Sequence, residues 1–160
     1  MGRKKKKKDG PGSRVLATNR KAFHEYFILD RYEAGISLEG TEVKSLRNGS
    51  ANLKESYCRV TDGEVWLVDC HISPYSHGAS FNHDPTRPRR LLLNKREIRK
   101  LVGAVSEKGF ALIPLRFYLK GPLIKLEIAL ARGKKMYDKR ETKRRKDIER
   151  ETDRAMKDWR

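Results

Sequence analysis

Phe110-Ala-Leu-Ile-Pro-Leu-Arg-Phe-Tyr-Leu-Lys120 and Leu123-Ile-Lys-Leu-Glu-Ile-Ala-Leu-Ala-Arg132, joined by Gly121-Pro122, decide the fold. Gly at the first position of a two-residue loop suits a type II′ turn, and a loop of that length sets the strand register. In that register Leu119 faces Ile124, Phe117 faces Leu126 and Leu115 faces Ile128, all on one side. On the other side Tyr118 faces Lys125 and Arg116 faces Glu127. Side chains alternate across a strand, so this is a sheet with one oily and one charged face. Tyr118 beside Lys125 offers a stacking plane and a phosphate contact together, as RNA-binding sheets do. Taken alone, the pair reads first as an ordinary cross-strand contact on a solvated face.

A second hairpin lies upstream. Tyr57 to Thr61 and Glu64 to His71 flank Asp62-Gly63, a strong type I′ signal. Val60 then faces Val65 and Cys58 faces Leu67 on the core side, while Arg59 faces Trp66 and Tyr57 faces Val68 outside. In this register Cys70 is off the ladder position of Cys58, so both are expected as free, small core residues. Asn94 caps a helix over Lys95 to Lys108, with Ile98, Leu101, Val102 and Val105 on one side and Gly109 as its stop.

Other stretches read less sharply. Ala22 to Tyr32, rich in aromatics, predicts a strand ending in a turn at Glu33-Ala34-Gly35; Ile36 to Leu38 predicts a shorter strand. Thr41 is expected to cap a short helix from Glu42 to Asn48. Ile72 to Arg90 is full of turn formers, and a loop that long in a compact domain is usually functional or disordered. Six strands in hairpin order with one good helix make the chain mainly β, and a small antiparallel barrel leads because closure removes exposed edges. A split sheet with a helix on one face is second.

The chain has 160 residues and a formal net charge of +17. Nine basic residues and one acidic fall in residues 1–21, and twelve basic and seven acidic in residues 133–160. The ends hold most of the excess, which predicts a polyanionic partner. Three regions follow: a disordered basic arm over residues 1–18, a folded body over 19–132, and a charged tail over 133–160. The tail has too few large apolar residues to bury itself, so it is expected to be disordered when free and helical against a polyanion. On such a helix Ile148, Thr152, Ala155, Met156 and Trp159 share a narrow side. No apolar run is long enough to span a bilayer, and no export signal follows Met1, so a reduced cytoplasm and no membrane partner are expected. There is no phosphate loop, nucleophile elbow or CxxC, and His24, His71, His77 and His83 lack the close paired spacing of zinc ligands. No enzyme activity, cofactor or metal is expected. Basic extensions would equally suit a structural ribosomal protein.

The residues Asn19-Arg-Lys-Ala-Phe-His-Glu-Tyr26, Glu33-Ala-Gly35, Leu38-Glu-Gly-Thr-Glu-Val-Lys-Ser-Leu-Arg47, Asp84-Pro-Thr-Arg87, Arg90-Leu-Leu-Leu-Asn94 and Gly133-Lys-Lys-Met-Tyr-Asp-Lys-Arg140 resemble the SsrA-binding protein family, bacterial partners of transfer-messenger RNA. The resemblance covers about residues 18–160. It implies an OB-like six-stranded barrel that binds the tRNA-like domain of that RNA, which is charged with alanine and delivered by elongation factor Tu to ribosomes stalled without a stop codon. The body would mimic the missing anticodon arm in the small-subunit decoding site, the tail would enter the empty mRNA channel, and the nascent peptide would be tagged for degradation. By motif, Glu33, Leu92 and Lys125 would contribute to RNA binding with His24 a neighbour, beside the Tyr118 of the hairpin above. Gly133, Lys134, Lys135, Tyr137, Asp138, Lys139, Arg140 and Met156 would act in the tail. Tyr137 stands where some members have His, and Ile148 where some have Trp.

Overall fold

A computed structural model describes residues 13–77 and 82–159. The C-terminal hairpin is its centre: β8 (Ala111–Lys120) and β9 (Leu123–Gly133) pair antiparallel, with Leu119 opposite Ile124, Phe117 opposite Leu126 and Tyr118 opposite Lys125. Gly121 takes φ +58°, as the first position of a type II′ turn requires. One expected pair is corrected. A bulge between Pro114 and Arg116 puts Pro114, not Leu115, opposite Ile128. Proline has no N–H for the ladder and is tolerated where the pairing is already interrupted.

Around this hairpin the strands run β1 (Ser13–Thr18), β8, β9, β2 (Tyr26–Ile36), β7 (Arg89–Leu92), β5 (Glu64–Val68) and β4 (Tyr57–Thr61) in one sheet, with β3 (Ala51–Asn52) and β6 (His71–Ile72) as a separate pair. The sheet rolls until β4 lies beside β8, enclosing Leu46, Leu53, Val65, Leu67, Leu101, Phe117, Leu126 and Ile128. The architecture is mainly β and barrel-like. It has seven strands in the main sheet rather than six: the two strands expected between residues 22 and 38 merge into β2, β7 forms at the end of the expected loop, and β1 comes from residues expected to be a disordered arm. Leu16 is buried in the core there, and the strand covers the otherwise open edge of β8. Residues 1–12 of that arm lie outside the described residues.

The hairpin β4–β5 has the expected register throughout, turning through Asp62 and Gly63, both at positive φ. Cys58 and Cys70 are free and buried. Helix α3 (Lys95–Lys108) begins where Asn94 Oδ1 accepts from the Glu97 amide and ends at left-handed Gly109. It seals one end of the barrel with Leu101, while Ile98 and Val105 pack beside it and Val102 stays exposed.

Two expectations near the start fail. Residues 20–25 form a short helix, α1 (Arg20–Glu25), not the beginning of a strand: the Asn19 side chain accepts from the Ala22 amide and donates to Pro114 O, so a buried cap overrides the aromatic strand signal. Glu33-Ala34-Gly35 is not a turn either but lies within the eleven-residue β2, paired along its length with β9. Helix α2 (Gly40–Arg47) starts two residues before Glu42, with Glu39 as its cap and the Glu42 carboxylate accepting from the Glu39 amide at 2.9 Å.

The segment from 72 to 90 is tied down on both sides of the undescribed residues 78–81. Asn82 exchanges two hydrogen bonds with the Tyr75 backbone, and His83 bridges Thr41 Oγ1 (2.9 Å) and Ile72 O (2.8 Å). Arg89 is fully buried against Glu42. Helix α4 (Met136–Asp158) ends the described chain. No helix among the described residues is long and apolar enough to cross a membrane.

Candidate nucleic-acid interface

Cross-strand pairing places residues far apart in sequence in one row on the outside of the barrel. Val15 pairs with Tyr118, Tyr118 with Lys125, Lys125 with Gly35, and Gly35 with Leu92. Directly paired residues share a face, so three of the sequence-predicted RNA contacts, Tyr118, Lys125 and Leu92, lie side by side across four strands. Gly35 makes this possible. A Cβ built there would sit 3.1 Å from Leu92 Cβ, so any larger residue presses on the exposed Leu92. The Glu33-Ala34-Gly35 motif is therefore a close-approach device in a strand, which its turn-like composition concealed.

The adjoining row carries the fourth residue. Glu33 pairs with Glu127, and Glu127 with Arg116. Two carboxylates face each other, a costly arrangement unless cations intervene. They do. Arg116 (3.0 Å) and Arg31 (3.1 Å) clamp Glu127, and Lys120 holds Glu33 at 2.9 Å. Tyr118 Oη donates to the other Glu33 oxygen at 2.5 Å. The hydrogen bonds from Tyr118 and Lys120 hold the Glu33 carboxyl below the usual range. Burial, followed by that same carboxylate, pushes the Tyr118 phenol up.

Tyr118 is only 6% exposed, with the Arg116 guanidinium 5.1 Å from its ring centroid. The stacking plane expected of Tyr118 is thus covered, and its hydroxyl instead positions Glu33. Tyr118→Phe is expected to cost about 1 kcal/mol of stability, one hydrogen bond's worth. It should also raise the Glu33 pKa toward the ordinary glutamate value in an NMR titration; an unmoved Glu33 would contradict the positioning role. Lys125 differs from its neighbours: among the described residues its ammonium pairs with no carboxylate, and Glu33 is close enough to feel its charge. A set carboxylate acceptor, an uncommitted cation and an exposed leucine together suit RNA, meeting a base amino group or 2′-hydroxyl, a phosphate and a sugar or base face.

His24 is not in these rows. It is exposed on α1, which packs through Ala22 on Ile113, Leu115, Ala129 and Ala131. The tail starts beside it: the Lys134 amide donates to Glu25 O at 2.8 Å, and Lys134 Nζ reaches Phe23 O and Thr142 Oγ1. Burial and the nearby Lys146 lower the Lys134 pKa. Gly133 ends β9, and Lys135 caps α4, its amide donating to Asp138 Oδ2 at 3.3 Å. Asp138 favours helix initiation, since a carboxylate in the first turn complements the amide dipoles. Lys139 is half-buried and Arg140 exposed, and the Tyr137 side chain lies outside the described residues.

Every residue from Lys143 to Trp159 is exposed, including Ile148, Met156 and Trp159 on the apolar side. The tail is not uniformly basic. Residues 138–146 hold six basic and two acidic residues, residues 147–158 three basic and five acidic. Its positive charge lies next to the body, a polarity that the total alone hides.

Comparison with known proteins places the chain in a family. A family model described as SmpB protein matches residues 16–158. The SsrA-binding protein of Carboxydothermus hydrogenoformans is 54% identical over 144 residues, 90% of this chain and 97% of that protein. That of Roseiflexus sp. strain RS-1 is 56% identical over 146 residues, 91% and 92% of the two chains. A solved chain described under "tmRNA-SmpB: a journey to the center of the bacterial ribosome" superposes with a TM-score of 0.65 at 47% identity, covering 81% of this chain and 94% of that one.

Proposed function

This chain belongs to the SmpB family, and from that premise we propose that it binds transfer-messenger RNA and acts with it on stalled ribosomes in trans-translation. The observation that carries the reading is the row Lys125–Gly35–Leu92, with Glu33 held beside it by the covered Tyr118. The row grips the tRNA-like domain, and the barrel then occupies the space an anticodon arm would fill in the decoding site. The RNA arrives charged with alanine and escorted by elongation factor Tu. The tail, with its positive charge nearest the body, enters the vacant message channel, where rRNA phosphates supply counter-charge. Tagging of the stalled peptide for degradation follows. The protein works as an RNA-binding partner in the cytoplasm.

Lys125→Ala tests the grip. It is expected to weaken binding of the tRNA-like domain about fivefold and to lower the slope of log K against log salt by about 1, the signature of one lost phosphate contact. An unchanged slope would remove Lys125 from the interface.

A further inference from the structure

The hairpin β4–β5 carries a strip that the site above does not use. Arg59 pairs with Trp66 across the hairpin, and Trp66 pairs with Arg90 on β7, so an indole stands between two arginines on one face. The opposite face of these strands is spent on the core, through Cys58, Val65, Leu67 and Leu91. Arg59 and Arg90 are exposed and Trp66 half-buried, while Tyr57, two residues from Arg59 on the same face, is 41% exposed. Glu64 meets Arg90 at 3.4 Å, an exposed pair of little weight. The strip is also continuous with the Lys125 row. Arg90 and Leu92 both point outward on β7 and are two residues apart, about 7 Å along the strand.

From these placements we infer that Trp66, flanked by Arg59 and Arg90, is a stacking platform for an unpaired nucleobase of the RNA held at the Lys125 row. The indole supplies a broad π-face that accepts any base, and the arginines reach the phosphates on either side of that base. The chemistry selects RNA because two cations bracket the aromatic, and an apolar protein partner would leave both guanidiniums to be desolvated without counter-charge. The inference rests on the proposed function and extends it to a single-stranded contact on the neighbouring strands.

The test uses Trp159→Phe protein, in which Trp66 is the sole tryptophan. It is titrated with the tRNA-like domain of transfer-messenger RNA while binding is followed in parallel by gel retardation. Quenching of Trp66 emission that tracks retardation is expected. Trp66→Leu should raise Kd roughly 5- to 50-fold, within the range that losses of base stacking span. Trp66→Phe, which keeps a ring, should raise it less, and circular dichroism shows that both variants fold. Retardation without quenching, with an unchanged Kd for Trp66→Leu, overturns the platform and leaves RNA binding standing. Absence of retardation overturns both. Quenching that appears only when ribosomal small subunits are added overturns the assignment to transfer-messenger RNA.

Discussion

Ending the chain after Lys135 leaves binding of the tRNA-like domain within about twofold at physiological salt, where distant exposed charges are largely screened, while tagging of a nonstop reporter falls to background. The body is complete at that point: β9 pairs with β2 as far as Gly133 opposite Tyr26, and the Lys134 amide closes on Glu25. A cut after Ala131 would instead remove the Arg132–Phe27 and Gly133–Tyr26 pairs and confound folding with function. What is lost is α4, whose residues from Lys143 onward are all exposed. Beyond Thr142 this helix lacks the tertiary packing that supplies most helical stability in proteins, so the free tail is expected to fray. Drawn as one helix it spans about 35 Å, and its ordering is the event that a channel lined with phosphates would drive. Equal loss of RNA binding and tagging in the shortened protein would show that body and tail are not separate devices.

The largest stability effect is expected at Arg89. Its guanidinium is fully buried and donates to Glu42, to Cys70 O (2.7 Å) and to Pro85 O (3.1 Å). Glu42, also fully buried, accepts from Arg87 and from the Glu39 amide as well. Arg89→Leu strips one partner from a buried charge and is expected to cost about 3–5 kcal/mol in urea denaturation; a loss near zero would mean that Glu42 is not held as an ion there. Burial pushes the Glu42 pKa up, but the hydrogen bonds from Arg87, Glu39 and Arg89 outweigh it and hold the carboxyl below the ordinary glutamate value. A lowered folded pKa gives stability that is fully present above the unfolded value and lost as pH falls through the folded one. The wild type should therefore lose this increment below about pH 4.5, and Arg89→Leu should show a shallower acid slope. The network matters for function because it fixes β7, and with it Leu92, against α2.

The sequence could be read where local chemistry decides. Asp62-Gly63 and Gly121-Pro122 are two-residue loops, so each sets its own register, and both hairpins pair nearly as expected. Asn94 and Gly109 bracket α3 for the same reason. The misreadings fall where the deciding partner is remote. Asn19 caps α1 while donating to Pro114, ninety-five positions away, and nothing beside Phe23 or Tyr26 announces that. Gly35 looks like a turn residue until Leu92 and Lys125 appear on either side of it. His83, Arg87 and Arg89 order a stretch that reads as loop, because their acceptors lie on α2, β6 and neighbouring backbone. The alternation behind Tyr118 and Lys125 was visible in the hairpin, but the hydrogen bond that ties the Tyr118 hydroxyl to Glu33 comes from another strand.

The most direct measurement is proximity crosslinking from two single cysteines in otherwise wild-type protein. Burial pushes the native Cys70 thiol up to about 12 and raises Cys58 as well, so thiol-directed probes at neutral pH pass both by. One probe replaces the exposed Leu123, two residues from Lys125 on the same face, and the other replaces the exposed Glu151 on α4. The division of labour between body and tail predicts that position 123 crosslinks to transfer-messenger RNA with or without ribosomes, and that position 151 crosslinks only when ribosomes with an empty message channel are present. A crosslink from position 151 to the RNA in the free complex, or none from position 123, would contradict it.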